Sequence, residues 1–240
     1  MANTIEAMIL AAGKGTRMRA HSSDVPKPLV KIGGKPLIEY AINLLKAGGI
    51  NQTVVNTHHL ASQLEAYLST QSMPITVSHE VELLETGGGV VRALPLLAEH
   101  FFTLNSDVIC VEKQGQSTLQ KMKNMWDETR MDGLMLLCPL ERAVGYKGHG
   151  DFSLSDDGRI QPRQEGKPAY VYMGIQRLHK RFLDAAPTGA FSLSQLYKAA
   201  VNKGDECPLY AMVHEGTWLH VGDPEGVALA EDYLAADCLT

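Results

Sequence analysis

The feature that most restricts the fold is a regular alternation, over roughly the first 140 residues, of short apolar runs with amphipathic stretches. Glu6–Ala11 reads as a buried strand closed by the turn Gly13-Lys14-Gly15. Leu37, Ile38, Ala41, Leu44 and Leu45 recur at helical spacing, and Gly48-Gly49 supplies the stop. The pattern continues with a strand at Thr53–Asn56, a helix at Leu60–Leu68, a strand at Ile75–Ser78 and a helix at Val90–Leu97. A strand at Phe101–Asn105, a helix at Leu119–Trp126 and a strand at Leu134–Leu137 complete it. Such alternation predicts an α/β fold: a Rossmann-like, mostly parallel sheet with helices on both faces. Ligands of such sheets bind at the carboxyl ends of the strands. Beyond about residue 140 a small antiparallel annex is expected. Asp151–Ser155 and Arg159-Ile160 flank a turn at Asp156-Asp157-Gly158, and Val171–Ile175 is a further strand. Ser194–Val201 reads as a helix, and Asp223-Pro224-Glu225 opens a last one, with Asp223 as N-cap. With no Pro- or Ser-rich linker and no repeat, residues 1–240 read as a single domain.

Composition narrows the function classes. The chain is 45% hydrophobic and 20% charged, as in ordinary globular proteins. Its 22 Lys and Arg against 27 Asp and Glu leave a formal net charge of −5. That balance argues against a nucleic-acid or anionic-membrane surface, so any phosphate recognition must come from a local cluster of cations. Cys110, Cys138, Cys207 and Cys238 are widely spaced and suit reduced thiols rather than a disulfide framework. The apolar run Ala7–Ala12 is short for a signal sequence, and no stretch approaches the ~20 apolar residues of a membrane span. A cytoplasmic enzyme or binding protein is the expectation.

Four motifs could carry chemistry. Leu10-Ala11-Ala12-Gly13-Lys14-Gly15-Thr16-Arg17 follows the first strand. Its small residues let backbone amides approach an oxyanion while Lys14 and Arg17 add charge; the alternative is a plain tight turn with solvated cations. In Pro26-Lys27-Pro28 two prolines hold the backbone extended and present the lysine with little freedom, although a loop lysine is common. Glu85-Thr86-Gly87-Gly88-Gly89 reads as a loop that either permits close backbone approach to a ligand, the favoured reading, or is simply flexible. Asn105-Ser106-Asp107 puts a carboxylate at a strand end, where it could hold Mg²⁺ or simply cap a turn.

Together and in this order, these motifs resemble those of sugar-1-phosphate nucleotidyltransferases. Gly148–Phe152, Met173-Gly174-Ile175, Gly189–Leu193 and Trp218–Gly222 extend the similarity nearly to the end of the chain. The segments look most like the small branch that includes N-acetylmuramate α-1-phosphate uridylyltransferases; the same branch includes mannose-1-phosphate guanylyltransferases. The resemblance implies a GT-A-like fold with a nucleotide-binding half over 1–140 and a sugar-phosphate half over 141–240. It implies in-line attack of a sugar 1-phosphate on an NTP, UTP for preference, with Mg²⁺ as cofactor. The partners implied are the two substrates, with no nucleic acid or membrane, in a monomer or homodimer. By that resemblance Leu10–Gly15, Thr16, Arg17 and Asn105 hold the nucleotide, and Lys27 with Arg17 serves the transferred phosphate. Glu80, Glu85, Thr86, Gly87 and Gly88 lie near base and ribose, Asp151 and Gly174 meet the sugar, and Asp107 binds the metal.

One position departs from the family. A second carboxylate ligand is usual two residues before the glycine of the final strand motif, and here that residue is His220. Imidazole is a poorer Mg²⁺ ligand, so His220 binds directly, acts through water, or yields to Asp223. A non-catalytic nucleotide-sugar-binding regulator is the rival from another class, and a choline-phosphate cytidylyltransferase-like enzyme is a further one. Acetyltransfer is not expected.

Overall fold

The computed structural model describes residues 4–15, 24–115 and 117–237. Along the chain run β1 (Ile5–Leu10), β2 (Lys31–Ile32), β3 (Lys35–Pro36), α1 (Leu37–Ala47), β4 (Thr53–Thr57), α2 (Ala61–Leu68) and β5 (Ile75–His79). Next come α3 (Glu85–Ala93), β6 (Leu97–Asn105), β7 (Val108–Val111), α4 (Thr118–Met125), β8 (Gly133–Pro139), β9 (Ala143–Val144), β10 (Phe152–Leu154) and β11 (Ile160–Pro162). Then follow β12 (Tyr170–His179), α5 (Leu193–Val201), β13 (Leu209–Val213), β14 (Thr217–His220) and α6 (Pro224–Asp237).

Strand β1 shows why its stretch Ala7–Leu10 is apolar. Ala7 and Ile9 point into the cluster that contains Ile38, Ala41, Ile42 and Leu45 of α1. Met8 points the other way, among Val90 and Ala93 of α3 and Tyr197 and Ala200 of α5. Where a strand is covered on both faces, consecutive positions are apolar. The main sheet has nine strands, with β11-β10-β12-β6-β1-β4-β5 in order and β8 and β13 attached beyond β12. Pairings among β6, β1, β4 and β5 are parallel, as is β8 with β13. β12 runs antiparallel to both β6 and β8, so the antiparallel element is wedged into the sheet rather than appended to it. A separate sheet β7-β14-β9 packs with α6 around Ile109, Leu219, Val221 and Ala230. Among the described residues no helix is long and apolar enough to cross a membrane.

The glycine-rich segment is not a loop. It forms the opening turns of α3, which begins at Glu85 rather than Val90. The N–H groups of Gly87 and Gly88 both donate to the Phe191 carbonyl, at 2.8 and 3.2 Å. A Cβ on Gly87 would lie 2.2 Å from the Phe191 ring, and one on Gly88 2.4 Å from the Gly189 carbonyl. The glycines therefore admit a neighbouring loop, and these two amides are satisfied by protein. At Gly89 a Cβ would sit 2.7 Å from both Asn56 Nδ2 and Glu80 Oε1. Those side chains are 2% and 1% exposed and bonded to each other, so neither can yield cheaply. Gly89→Ala is expected to lower stability by about 1–2 kcal/mol, overpacking outweighing the gain in helix propensity. The midpoint of thermal unfolding should fall by about 2–4 °C per kcal/mol.

Candidate active site

Three strand ends converge. In the parallel register Leu10 of β1 stands opposite Asn56 of β4 on one side and Asn105 of β6 on the other. Asn56 accepts the Ala11 N–H at 2.7 Å and donates to Glu80 Oε1 at 2.7 Å, while Glu80 Oε2 accepts the Leu84 N–H at 3.0 Å. The chain Glu80–Asn56–Ala11 thus ties the turn after β1 to the segment entering α3. Glu80 is 1% exposed with both oxygens engaged. It stands behind the cleft as a brace, not at its surface beside a base. Glu80→Ala would leave Asn56 Nδ2 and the Leu84 N–H buried without partners, at about 1–3 kcal/mol each. Calorimetric unfolding should show that loss, and Glu80→Gln, which keeps one carbonyl acceptor, should lose less.

Lys27 Nζ meets Asp107 Oδ2 at 2.5 Å, the two side chains being 14% and 32% exposed. Lys27 opens a short 3₁₀ turn after Pro26, whose ψ of 140° holds the approach extended. Gly15, at φ +59°, crosses over the lysine stem, and a Cβ there would fall 2.8 Å from Lys27 Cβ. Gly13 has open space where a side chain would be. Leu10, Ala11, Ala12, Gly13, Gly15, Lys27, Asn56, Glu85, Thr86, Asn105, Ser106 and Asp107 line a cleft of about 640 Å³. Glu85 sits at φ 59°, a left-handed conformation unusual for a side-chain-bearing residue, at the mouth of that cleft. Lys14 is exposed beside it, and Thr16 and Arg17 lie outside the described residues.

A second cavity, also about 640 Å³, adjoins the first and shares Leu10, Thr86, Asn105 and Ser192 with it. Asp151 lines it, its Oδ2 accepting the Tyr172 N–H at 2.9 Å. Gly174 does not reach either cavity. It sits at φ +79° where β12 slips register, and a Cβ there would be 2.4 Å from Asn105 Nδ2. Its place is to let Asn105 lie flat against β12.

His220 on β14 is paired in register with Val108, next to Asp107. Its ring packs among Trp218 and Tyr146, at centroid distances of 5.0 and 5.8 Å. Asp223 Oδ1 accepts the Gly226 N–H at 2.8 Å, the expected cap of α6, and that bond lowers its pKa. Among the described residues the His/Glu group with metal-ligand spacing is His100, Glu128 and His179, toward the opposite end of β6 and β12. There His179 Nδ1 accepts the Arg181 N–H at 3.0 Å, and burial lowers its pKa.

The sequence singles out neither Asn56 nor the packing role of the Gly189–Ser192 loop. An Asn ending the otherwise apolar strand Thr53–Asn56, as Asn105 ends its own, is the available signal for the first. Phe191 acts across about a hundred residues and leaves no local one.

Parallel strand ends, a glycine turn and a lysine–carboxylate pair line one cleft, and comparison with known proteins gives the family. Residues 7–142 match the MobA-like NTP transferase domain family, to which the chain belongs; it is a nucleotidyltransferase. Among its relatives is an N-acetylmuramate alpha-1-phosphate uridylyltransferase of Caulobacter vibrioides, 38% identical over 95% of this chain and 96% of that one. A mannose-1-phosphate guanylyltransferase catalytic subunit beta of Xenopus tropicalis is 28% identical over 98% of this chain and 64% of its own length. A solved UDP-glucose pyrophosphorylase complexed with UDP-glucose superposes with a TM-score of 0.77 at 18% identity, covering 98% of this chain and 99% of that one.

Proposed function

We propose that the protein transfers a uridylyl group from UTP to N-acetylmuramate 1-phosphate, releasing pyrophosphate. The observation that carries this reading is the pair of adjoining cavities, one lined by the glycine turn and Lys27–Asp107, the other by Asp151. An NTP in the first and a sugar 1-phosphate in the second would meet at the shared border of Leu10, Thr86, Asn105 and Ser192. A sugar-phosphate oxygen then attacks the α-phosphorus in line, and the bond to pyrophosphate breaks. No covalent intermediate is needed, so positioning and charge neutralisation do the catalysis.

The Lys27–Asp107 pair is suited to exchange partners. With substrates bound, Lys27 turns to the phosphate under attack and Asp107 to a cation. Backbone amides of Gly13–Gly15, with Lys14 and Arg17, hold the remaining phosphates. Asp107 fits Mg²⁺ by chemistry, a hard and accessible carboxylate oxygen beside the phosphate site, with His220 close in register as a lesser donor. When bound, Mg²⁺ neutralises phosphate charge. Because the Gly87 and Gly88 amides are taken by Phe191, the uracil edge must be read instead by the Leu10–Gly13 backbone and by Glu85 and Thr86. Comparing kcat/KM for UTP, GTP, CTP, dTTP and ATP with N-acetylmuramate 1-phosphate tests the assignment, UTP being expected to lead. The Xenopus relative favours one second reading, GTP with mannose 1-phosphate. A preference for GTP of about tenfold or more, some 1.4 kcal/mol, selects it, and absence of pyrophosphate release selects a binding protein.

A further inference from the structure

We propose that Arg163 and Lys198 form a carboxylate-reading pair on the outer wall of the second cavity, selecting a sugar 1-phosphate that bears an acidic substituent; this rests on the acceptor reading above. Arg163 directly follows β11 and Lys198 lies on α5, and both line the second cavity but not the first. They therefore stand away from the transferred phosphorus, which belongs at the shared border of Leu10, Thr86, Asn105 and Ser192. Among the described residues neither forms an ion pair. Arg163 makes one long hydrogen bond, Nη1 to the His149 carbonyl at 3.4 Å. The single carboxylate of that cavity, Asp151, is engaged by the Tyr172 N–H.

The rest of the wall is largely apolar, with Leu10, Phe152, Pro162, Leu193 and Val201. A sugar presenting only hydroxyls and an acetamide offers two uncommitted cations neutral acceptors but no opposite charge. N-acetylmuramate differs from N-acetylglucosamine by a lactyl ether, which adds one carboxylate to the ring. Against an apolar wall that carboxylate loses water, and charge-assisted bonds to a guanidinium and an ammonium replace it. Arg163 and Lys198 are both exposed and stay hydrated when the carboxylate is absent, so an analogue lacking it forgoes the charge-assisted bonds and the preference is the difference between the two affinities.

The test is calorimetric binding of UDP-N-acetylmuramate and UDP-N-acetylglucosamine to the wild type, Arg163→Gln, Lys198→Gln and Arg163→Lys. The wild type should prefer the first, and each Gln variant should reduce that preference by about tenfold or more, with Arg163→Lys keeping most of it. If both ligands weaken equally in the Gln variants, the pair contacts the shared diphosphate or ring, and the proposal is wrong. An unchanged preference overturns it too. A wild type that binds GDP-mannose and neither uridine product gives a different pattern, removing the uridylyltransferase reading and this inference with it.

Discussion

Lys27→Ala is expected to lower kcat by about 10²–10³-fold while changing the affinity for UTP far less. The lysine is the one cation among the described residues lining the cleft proposed for the nucleotide, and its surroundings restrict where the charge stands. Pro26 and Pro28 restrict the backbone and Gly15 lies across the stem. A group fixed in this way costs little reorganisation when an oxygen nearby gains negative charge, so its contribution is largest in the transition state. In the ground state the phosphates have other donors in the glycine turn, which is why binding should survive. Rapid-quench measurement of the chemical step, with equilibrium UTP binding alongside, separates the two. An unchanged kcat with a raised KM would make Lys27 a ground-state contact and remove it from the catalytic role.

Local grammar makes this pair legible in the sequence. A lysine between prolines and an aspartate at the end of an apolar strand are each visible within a few residues, although they are 80 apart in sequence. The alternation of strands and helices is readable for the same reason, since burial on both faces leaves runs as plain as Ala7–Leu10. The glycine run is not. Three glycines have poor helix propensity, and what holds them in α3 is the Phe191 carbonyl and ring, supplied from far along the chain. Glu80, which the resemblance places near base and ribose, has its carboxylate oxygens engaged by Asn56 and the Leu84 N–H, partners that no local pattern discloses. The strands β7 and β13 escape a sequence reading because such short segments acquire their pairing only from tertiary partners.

Asp107→Ala should abolish Mg²⁺-dependent turnover while leaving the fold intact. The side chain is 32% exposed and bonded to Lys27 across the cleft, so its removal should cost no more than about 1 kcal/mol of stability. Its neighbours are poor substitutes as cation ligands. Asp223 is committed to capping α6, and His220, in register with Val108, offers a nitrogen inside an aromatic cluster. Mg²⁺ binds through one or two carboxylates plus phosphate oxygens and keeps several waters, so losing the carboxylate nearest the phosphates removes the protein's main share of the site. In the wild type, Mg²⁺ added with UTP at about 100 times its dissociation constant should stabilise the fold by about 2.7 kcal/mol, read as a rise in the thermal midpoint. The variant should keep the part of that rise produced by nucleotide alone and lose the increment that depends on Mg²⁺. An equal Mg²⁺ increment in both proteins would show that Asp107 does not hold the metal. In that event the lysine pair would be the aspartate's whole role, and Lys27→Ala and Asp107→Ala should then slow the chemical step to the same degree.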